Sequence, residues 1–430
     1  MKTKLAALLC LTLVVAACSP AASVAPGAST APDAALARAD VPRASAAPED
    51  AAAAAAAINA FGLDLYREIA AGSPNAVFSP ASIALALGMA RAGARGKTAA
   101  EMDAVLRDLA TDEHAGWLNA LDQALASRSG TFQDMGGEAR EVALRIANAP
   151  FAQRDMPLEA AYLEALAARY GAGLRLVDYV ADTEGARRTI NGWVSDQTEE
   201  RIPELLVPGV LAPESRLTLV NAIYLKAPWL EPFAVEATAP AAFTRADGTT
   251  VDVPFMAASA AMRHASGAGW QAVEIPYIGG SLAMTVIVPD DLAAFEASLT
   301  ADGLASITGA LVDTQVNLAL PTFSIETKAE LGAILAALGM PTAFTDAADF
   351  SGITTAEQLA IAEVIHQANI DVDEKGTEAA AATAVVMRAT GMPAEPVTVR
   401  ADRPFVFALR DVPTGAILFM GRVGDPSITR

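Results

Sequence analysis

The sequence predicts an α+β fold, and three observations carry the prediction. Apolar residues recur at helical spacing in segments between residues 56 and 206. Alternating, turn-bounded runs dominate from 215 to 290 and return at 404–426. The regular βαβ alternation of a parallel-sheet protein is missing, so helices and strands do not take turns along the chain. One stretch, Ile370 to Pro404, fits neither pattern, and the chain reads as organised around it.

In order, AAINAFGLDLYREIAAG (56–72) places Ile58, Phe61, Leu65 and Ile69 at helical spacing, a first helix. In NAVFSPASIALALGMARAGARGKTAAEM (75–102), Val77 and Phe78 form a short buried strand. Ser79 caps a helix that Pro80 opens and that Ile83, Leu85, Leu87 and Met89 fill. The chain then reads as a helix over 113–129, a glycine-rich loop over 130–137, an alternating strand over 141–153, a helix over 157–170 and a strand over 174–177. TEGARRTINGWVSDQTEERIPELL (183–206) is an amphipathic helix with Ile190, Trp193 and Val194 inward.

SRLTLVNAIYLKAPWLEPF (215–233) is a long apolar strand ending in a turn. From 243 to 290 the reading is all strands, with hairpin turns at Asp247-Gly248 and Gly279-Gly280. VNLALPTFSIETKAELGAILAALGM (316–340) is a strand followed by a helix, AFTDAADFSGI (343–353) a loop, and PFVFALRDVPTGAILFMGRVGDP (404–426) two strands around Thr414-Gly415. No internal repeat occurs.

The organising stretch begins as a strand, Ile370 and Val372 alternating with Asp371 and Asp373, until Gly376 breaks the pattern. GTEAAAATAVVM then has two readings. Alanine is the best helix former and Thr377 a good cap, which makes a surface helix. In strand register, Thr377, Ala379, Ala381, Thr383, Val385 and Met387 share one face, while Glu378, Ala380, Ala382, Ala384 and Val386 take the other. The residues alone leave both open.

The N-terminus is a targeting segment. Lys2 and Lys4 form a basic region, Leu5 to Val15 an apolar one, and small residues lead to Cys18. Leu-Val-Val-Ala-Ala-Cys resembles a bacterial lipobox, which implies cleavage after residue 17, acylation of Cys18 and a lipid-anchored protein of the cell envelope. Ser19 after the cysteine points to the outer membrane, on its periplasmic or its outer face. Residues 18–55 are Ala, Pro and Ser with few large apolar side chains, the composition of a disordered tether. Cys10 is the only other cysteine and lies in the removed segment, so the mature chain has no disulfide and depends on its core. At 53% hydrophobic residues that core is attainable. The formal charge of −20, two units more negative without Lys2 and Lys4, argues against nucleic acid and anionic lipid as partners. Membrane attachment is expected through the lipid anchor only.

Catalytic motifs are missing from the sequence. His114, His264 and His366 lie in no HExxH pattern, and there is no GxSxG elbow, SxxK pair or phosphate-binding glycine loop. Neither enzyme activity, nor a metal, nor any cofactor is expected.

DEKGTEAAAATAVVM resembles the hinge and loop of a serpin, the family of suicide inhibitors of serine and cysteine proteases. The resemblance extends over about residues 56–427, because the 75–102 segment, the 183–206 helix, the 215–233 strand, the 343–353 loop and the closing hairpin are similar to family landmarks in the expected order. It implies a serpin domain over 56–430, with three β-sheets, eight to nine helices and an exposed reactive loop at about 374–400, expected as a monomer. It also implies a mechanism. A protease attacks the loop as substrate, and the severed loop enters the main sheet as a new strand. Fourteen or so residues at about 3.3 Å each then carry the acylated protease roughly 45 Å, so deacylation stalls.

Residue roles follow by resemblance. Glu374, Gly376, Thr377 and Ala379, Ala380, Ala381 and Ala382 match the hinge, with Thr377 the first side chain to enter the sheet. Ser79, Ser82, Asn221 and His366 match the shutter where the sheet parts, and Trp229 matches the breach above it. Where the family commonly has a lysine that pairs with the hinge glutamate, this chain has Thr322, so Glu374 is expected to turn to Lys375 or water. The family spacing puts the reactive bond at Thr390-Gly391, which suits an elastase-like protease. Arg388-Ala389 is the runner-up and would suit a trypsin-like one. The alternative is a non-inhibitory serpin, a binding or carrier protein on the cell envelope.

Overall fold

The computed structural model describes residues 34–111, 113–114, 116–377 and 395–429. In chain order the first part contains β1 (Ala35–Ala37), α1 (Pro48–Ile69), β2 (Asn75–Phe78), α2 (Pro80–Gly93), α3 (Gly96–Val105), α4 (Trp117–Ala126), β3 (Gly130–Gln133), β4 (Ala139–Gln153), α5 (Ala160–Tyr170), β5 (Leu174–Val177) and α6 (Thr183–Gln197). Then follow β6 (Leu217–Pro228), β7 (Ala239–Thr244), β8 (Thr250–Gly267), β9 (Trp270–Pro276), β10 (Leu282–Pro289), α7 (Leu292–Ser298) and α8 (Ala301–Gly309). The last part holds β11 (Val312–Pro321), β12 (Phe323–Glu330), α9 (Leu331–Leu338), β13 (Glu363–Asp373), β14 (Gly376–Thr377), β15 (Val397–Arg400), β16 (Phe405–Asp411) and β17 (Ile417–Val423).

Hydrogen bonds join these strands into two sheets. The main sheet runs β1-β5-β4-β6-β14-β13-β12, with β3 added beside β4. The second runs β15-β11-β8-β9-β10-β16-β17-β2, with β7 added beside β8. Three sheets were the expectation. The difference lies in β8, whose 18 residues pair with β7 at the start, β11 along the middle and β9 at the end, so one strand bridges what would otherwise be two sheets. The nine α-helices among the described residues agree with the expected eight to nine.

The main sheet is buried on both faces. Helix α2 lies under it, apolar nearly all round and buried from Pro80 to Ala90, as a central helix must be. Its start follows the sequence closely: Ser79 caps it through Oγ, which accepts from Ser82 N at 3.2 Å, and Pro80 occupies the first turn. Helix α6 crosses the opposite face, where Ile190 and Val194 pack with Phe151, Tyr179, Val220 and Ile365 in a second, smaller core. Eleven of the twelve residues of β6 are therefore buried.

Several expectations need correction. The tether was expected to reach residue 55, yet the fold begins with β1, and α1 starts at Pro48. Ala51, Ala54 and Ala55 are buried there because alanine lets α1 approach its neighbours closely while favouring the helix. The 130–137 loop opens with β3, paired to β4. The helix expected over 183–206 stops at Gln197, because Glu199 and Glu200 take positive φ angles that no α-helix continues through. Ala94 and Arg95 are extended, so the helix opened by Pro80 ends at Gly93 and α3 follows it separately. Helices α7 and α8 were not foreseen.

Candidate functional site

The site is the seam between β6 and β13 in the main sheet. The two strands are parallel and paired from Thr218↔Glu363 to Ala222↔Gln367. Above that point, no ladder connects Ile223–Lys226 with Ala368–Asp371 among the described residues. At the top, β14 lies between them: Thr377 is in register with Val372 and Ala227, and Gly376 with Asp373 and Pro228. Below β14 a narrow cleft is lined by Ile223, Leu225, Asn369, Asp371 and Thr377.

Asp373 turns the chain at the top of β13. Its Oδ1 accepts from the backbone N–H of Lys375 at 2.8 Å and of Gly376 at 3.2 Å. Burial still holds this carboxyl above the usual carboxylate range, with those N–H groups opposing the shift. Gly376 has φ +151°, and a Cβ there would sit 2.3 Å from the Ala227 carbonyl oxygen, so only glycine lets the chain pass into the seam.

Thr377 is 2% exposed, and its hydroxyl lies 2.6 Å from the phenol oxygen of buried Tyr277, a pairing in which either oxygen can donate. This corrects the expectation that Thr377 becomes buried only after loop cleavage. It is already inside the sheet, because Gly376 permits the close approach and Tyr277 supplies the hydroxyl's partner.

Trp229 organises the surroundings. Its ring stacks on Tyr277 (4.4 Å between centroids, 12°) and meets Phe233 edge-on at 6.3 Å. Its indole N–H donates to Asp373 O and its backbone N–H to Lys375 O, both at 2.9 Å. Phe233 N donates to Glu374 O at 2.8 Å. The Glu374 side chain accepts from Thr238 Oγ1 at 2.7 Å, which corrects the expected partner, Lys375 or water. Thr238 follows a single 3₁₀ turn, Val235–Ala237, that brings its hydroxyl up to the hinge.

Lower down, where the ladder is closed, a polar network runs beneath the sheet. Asn148 on β4, Asn221 on β6 and His366 on β13 are in register on adjacent strands and face the start of α2. Asn221 Nδ2 donates to Ser82 Oγ and to Asn148 Oδ1, both at 2.6 Å, and its Oδ1 accepts from His366 Nδ1. His366 Nε2 accepts from Ser79 N at 3.0 Å, which fixes the neutral ring with its proton on Nδ1. Ser82 Oγ donates to Asn148 Oδ1 at 3.1 Å, and Asn148 Nδ2 donates to Ser82 O at 3.1 Å. His366 is fully buried, which lowers its pKa to about 3.

The structure thus brings Ser79, Ser82, Asn221 and His366 together, and gathers Glu374, Gly376, Thr377 and Trp229 above them. Asn148, Tyr277 and Thr238 complete the two clusters and were missed. An asparagine inside the apolar run ALRIANAPF was the available signal for the first; nothing local marks the other two. Thr322 donates its backbone N–H to Pro254 O, and it is Thr238 that bonds the Glu374 carboxylate. Ala379, Ala380, Ala381, Ala382, Arg388, Ala389, Thr390, Gly391 and Cys18 lie outside the described residues. Among the described residues, no three His, Cys, Asp or Glu side chains are grouped to hold a metal, and no helix is long and apolar enough to cross a membrane.

A family model described as serpin (serine protease inhibitor) matches residues 56–426. An uncharacterized serpin-like protein of Thermococcus kodakarensis is 40% identical over 374 residues, covering 86% of this chain and 85% of its own length. The leukocyte elastase inhibitor of Sus scrofa is 37% identical over 388 residues, covering 86% of this chain and 99% of its own. Native Tengpin, a thermophilic serpin, superposes with a TM-score of 0.77 at 26% identity, over 91% of this chain and 100% of its own. This chain, with its parted β6–β13 seam, belongs to the serpin family.

Proposed function

We propose that this protein inhibits serine-type endopeptidases as a suicide substrate. The observation that carries the reading is β14: two residues of an additional strand occupy the seam between β6 and β13, above a stretch where these two strands, each laddered on its outer side, have no ladder to each other among the described residues. A strand continuing from Thr377 gains a hydrogen-bond ladder on both sides. In the proposed reaction, the protease serine Oγ attacks the carbonyl carbon of the reactive bond. The peptide C–N bond breaks, the new amine leaves and the ester remains. Insertion of the freed strand drags the acylated protease away before water completes the turnover. The driving free energy is stored in the intact fold, which is kinetically trapped.

The reactive bond is Thr390-Gly391 in this reading, with Arg388-Ala389 second. Thr390 suits the small apolar primary pocket of an elastase-like protease, in keeping with a relative named leukocyte elastase inhibitor. Trypsin-like enzymes follow if Arg388 is the residue read, and cysteine proteases are a further target class. The decisive experiment incubates the protein with a panel of serine proteases and resolves the products on a denaturing gel. A protease-linked band is expected, and mass spectrometry of the released peptide identifies the bond. Cleavage without any such band would instead make the protein a non-inhibitory carrier or binding module.

The inhibitor is anchored to the outer membrane through acylated Cys18, in our reading of the leader. Cys18→Ser should move the protein from the membrane to the soluble fraction, and unchanged membrane association would discard the anchor.

A further inference from the structure

The segment before α1 is bound to two parts of the molecule at once. On one side, β1 extends the main sheet, with Ala35, Leu36 and Ala37 in register with Leu176, Arg175 and Leu174 of β5. The fit is close: a Cβ on Gly173 would lie 2.8 Å from Ala37 O. On the other side, Arg43 Nε donates to Asn119 Oδ1 at 2.8 Å, and Arg43 Nη2 pairs with Asp122 Oδ2 at 2.5 Å, both partners on α4. Asn119, 1% exposed, donates through Nδ2 to Ala44 O at 3.0 Å, and Ala44 N donates to Ala168 O of α5 at 2.8 Å. A fully buried amide on α4 thus directs both its oxygen and its nitrogen to this segment.

Those two attachments belong to bodies that strand insertion must move apart. Strand β13 is held to the second sheet's side through β2 and the Ser79–His366 bond. Helix α4 packs mainly on α1, which rests on β17 of that same sheet, and touches α5 and β4 far less. The block β1-β5-β4-β6 must therefore shift away from β13 by about one strand spacing, roughly 4.8 Å, while α4 stays with the rest. Within that block β5 is weakly held, since only Phe151, Ala152 and Gln153 of β4 pair with it. Beside this junction a cavity of about 330 Å³ lies between Leu36, Asn148, Tyr170 and Trp193. An acceptor–donor pair at 2.8–3.0 Å does not survive a displacement of that size.

We propose that residues 34–47 are a strap that ties the sliding half of the main sheet to the helical layer and so raises the barrier to strand insertion. The inference rests on the inhibitory reading above. Releasing the strap speeds insertion whether the loop is cut or intact; in the intact chain this means spontaneous passage to an inserted, heat-stable form.

The test uses the full chain and two independent variants. Arg43→Ala removes the fork on α4, and Gly173→Val blocks β1 from its ladder. Amide exchange over 35–37 and 174–177 reports strap release. The measured quantity is the rate at which uncleaved protein, held below its thermal midpoint, converts to a heat-stable monomer. Conversion is expected about tenfold faster in both variants, Arg43→Ala through loss of its charge-assisted bonds to Asn119 and Asp122 and Gly173→Val through loss of the β1 ladder. The swap Arg43→Asp with Asp122→Arg should return the rate toward wild type. Strap release with unchanged conversion, or a swap that restores docking but not the rate, overturns the strap. Nicked wild-type protein that is no more heat-stable than intact protein would overturn the insertion reading itself, and that result comes from a separate measurement.

Discussion

The upper and lower parts of one seam are held in opposite ways. At the top, β6 and β13 are already parted, and the gap is capped by two residues whose side chains offer one hydroxyl contact, Thr377 to Tyr277. Lower down, the strands are laddered to each other over five residue pairs, and four side chains from four elements bond beneath them, joined by the Ser79 backbone N–H. An entering strand therefore meets little resistance over its first residues and most of it at Asn221 and His366. Separating β6 from β13 there breaks the Asn221–His366 bond and leaves two buried polar groups without partners, at about 1–3 kcal/mol each. Under the proposed mechanism, the resistance of this seam to an entering strand is concentrated in the lower half.

The largest expected effect breaks the comparison altogether. Cutting the loop should let the strand pass the lower half, and the thermal midpoint of nicked protein should exceed that of intact protein by well over 10 °C, which in a chain of this size corresponds to roughly 10 kcal/mol or more. Equal midpoints would mean that the lower half never opens. Thr377→Arg comes next. A charge beside the Tyr277 phenol, buried and unpaired, costs about 3–5 kcal/mol. The side chain should be expelled, emptying the upper half. The variant should then be cut at the same bond and released as product, while Glu378→Ala, one residue further on, serves as control. Wild-type yields of protease-linked complex from Thr377→Arg would remove Thr377 from the hinge.

A smaller effect sharpens the lower half through pH. Folding lowers the pKa of His366 from 6.5 to about 3, so the folded state holds the ring neutral. Above pH 6.5 folded and unfolded chains both carry it neutral, and its contribution is complete. As pH falls from 6.5 toward 3 the unfolded chain takes up a proton that the folded one refuses, and stability declines. Urea midpoints should show this slope in wild type and a shallower one in His366→Gln; identical slopes would separate the imidazole from the effect. The smallest change is Tyr277→Phe, which takes one hydroxyl from the upper half and should cost about 1 kcal/mol by urea denaturation. A loss as large as that of Asn221→Ala would erase the contrast between the two parts.

What the sequence disclosed follows the range of the forces involved. Ser79 with Pro80 and the Asp247-Gly248 and Gly279-Gly280 turns are local, and the structure repeats them. The alternation expected in β9 and β10 is not repeated, because β10 is buried throughout and β9 over four consecutive residues. Asn221, Trp229 and His366 were legible through their resemblance to family landmarks rather than through any local pattern. The occupancy of the seam was not, since it depends on Tyr277 being 100 residues from Thr377. The strap was hidden for the same reason: Ala, Pro and Ser around Arg43 have the composition of a tether, and the groups that order it are 76 and 79 residues away. Composition measures what a segment can bury by itself, and this one is ordered by what others have left for it.

Gly376 has one further consequence. Side chains on a strand alternate between faces, so a slip of one residue would exchange the two sets completely. Any such slip at β14 would place a Cβ where Gly376 now lies, 2.3 Å from Ala227 O and 2.7 Å from Pro228 Cα. The missing methyl therefore acts as a parity lock. A strand growing downward from Thr377 inherits its phase from this single position, and the choice of which side chains face α2 and which face α6 is made before the strand begins to grow.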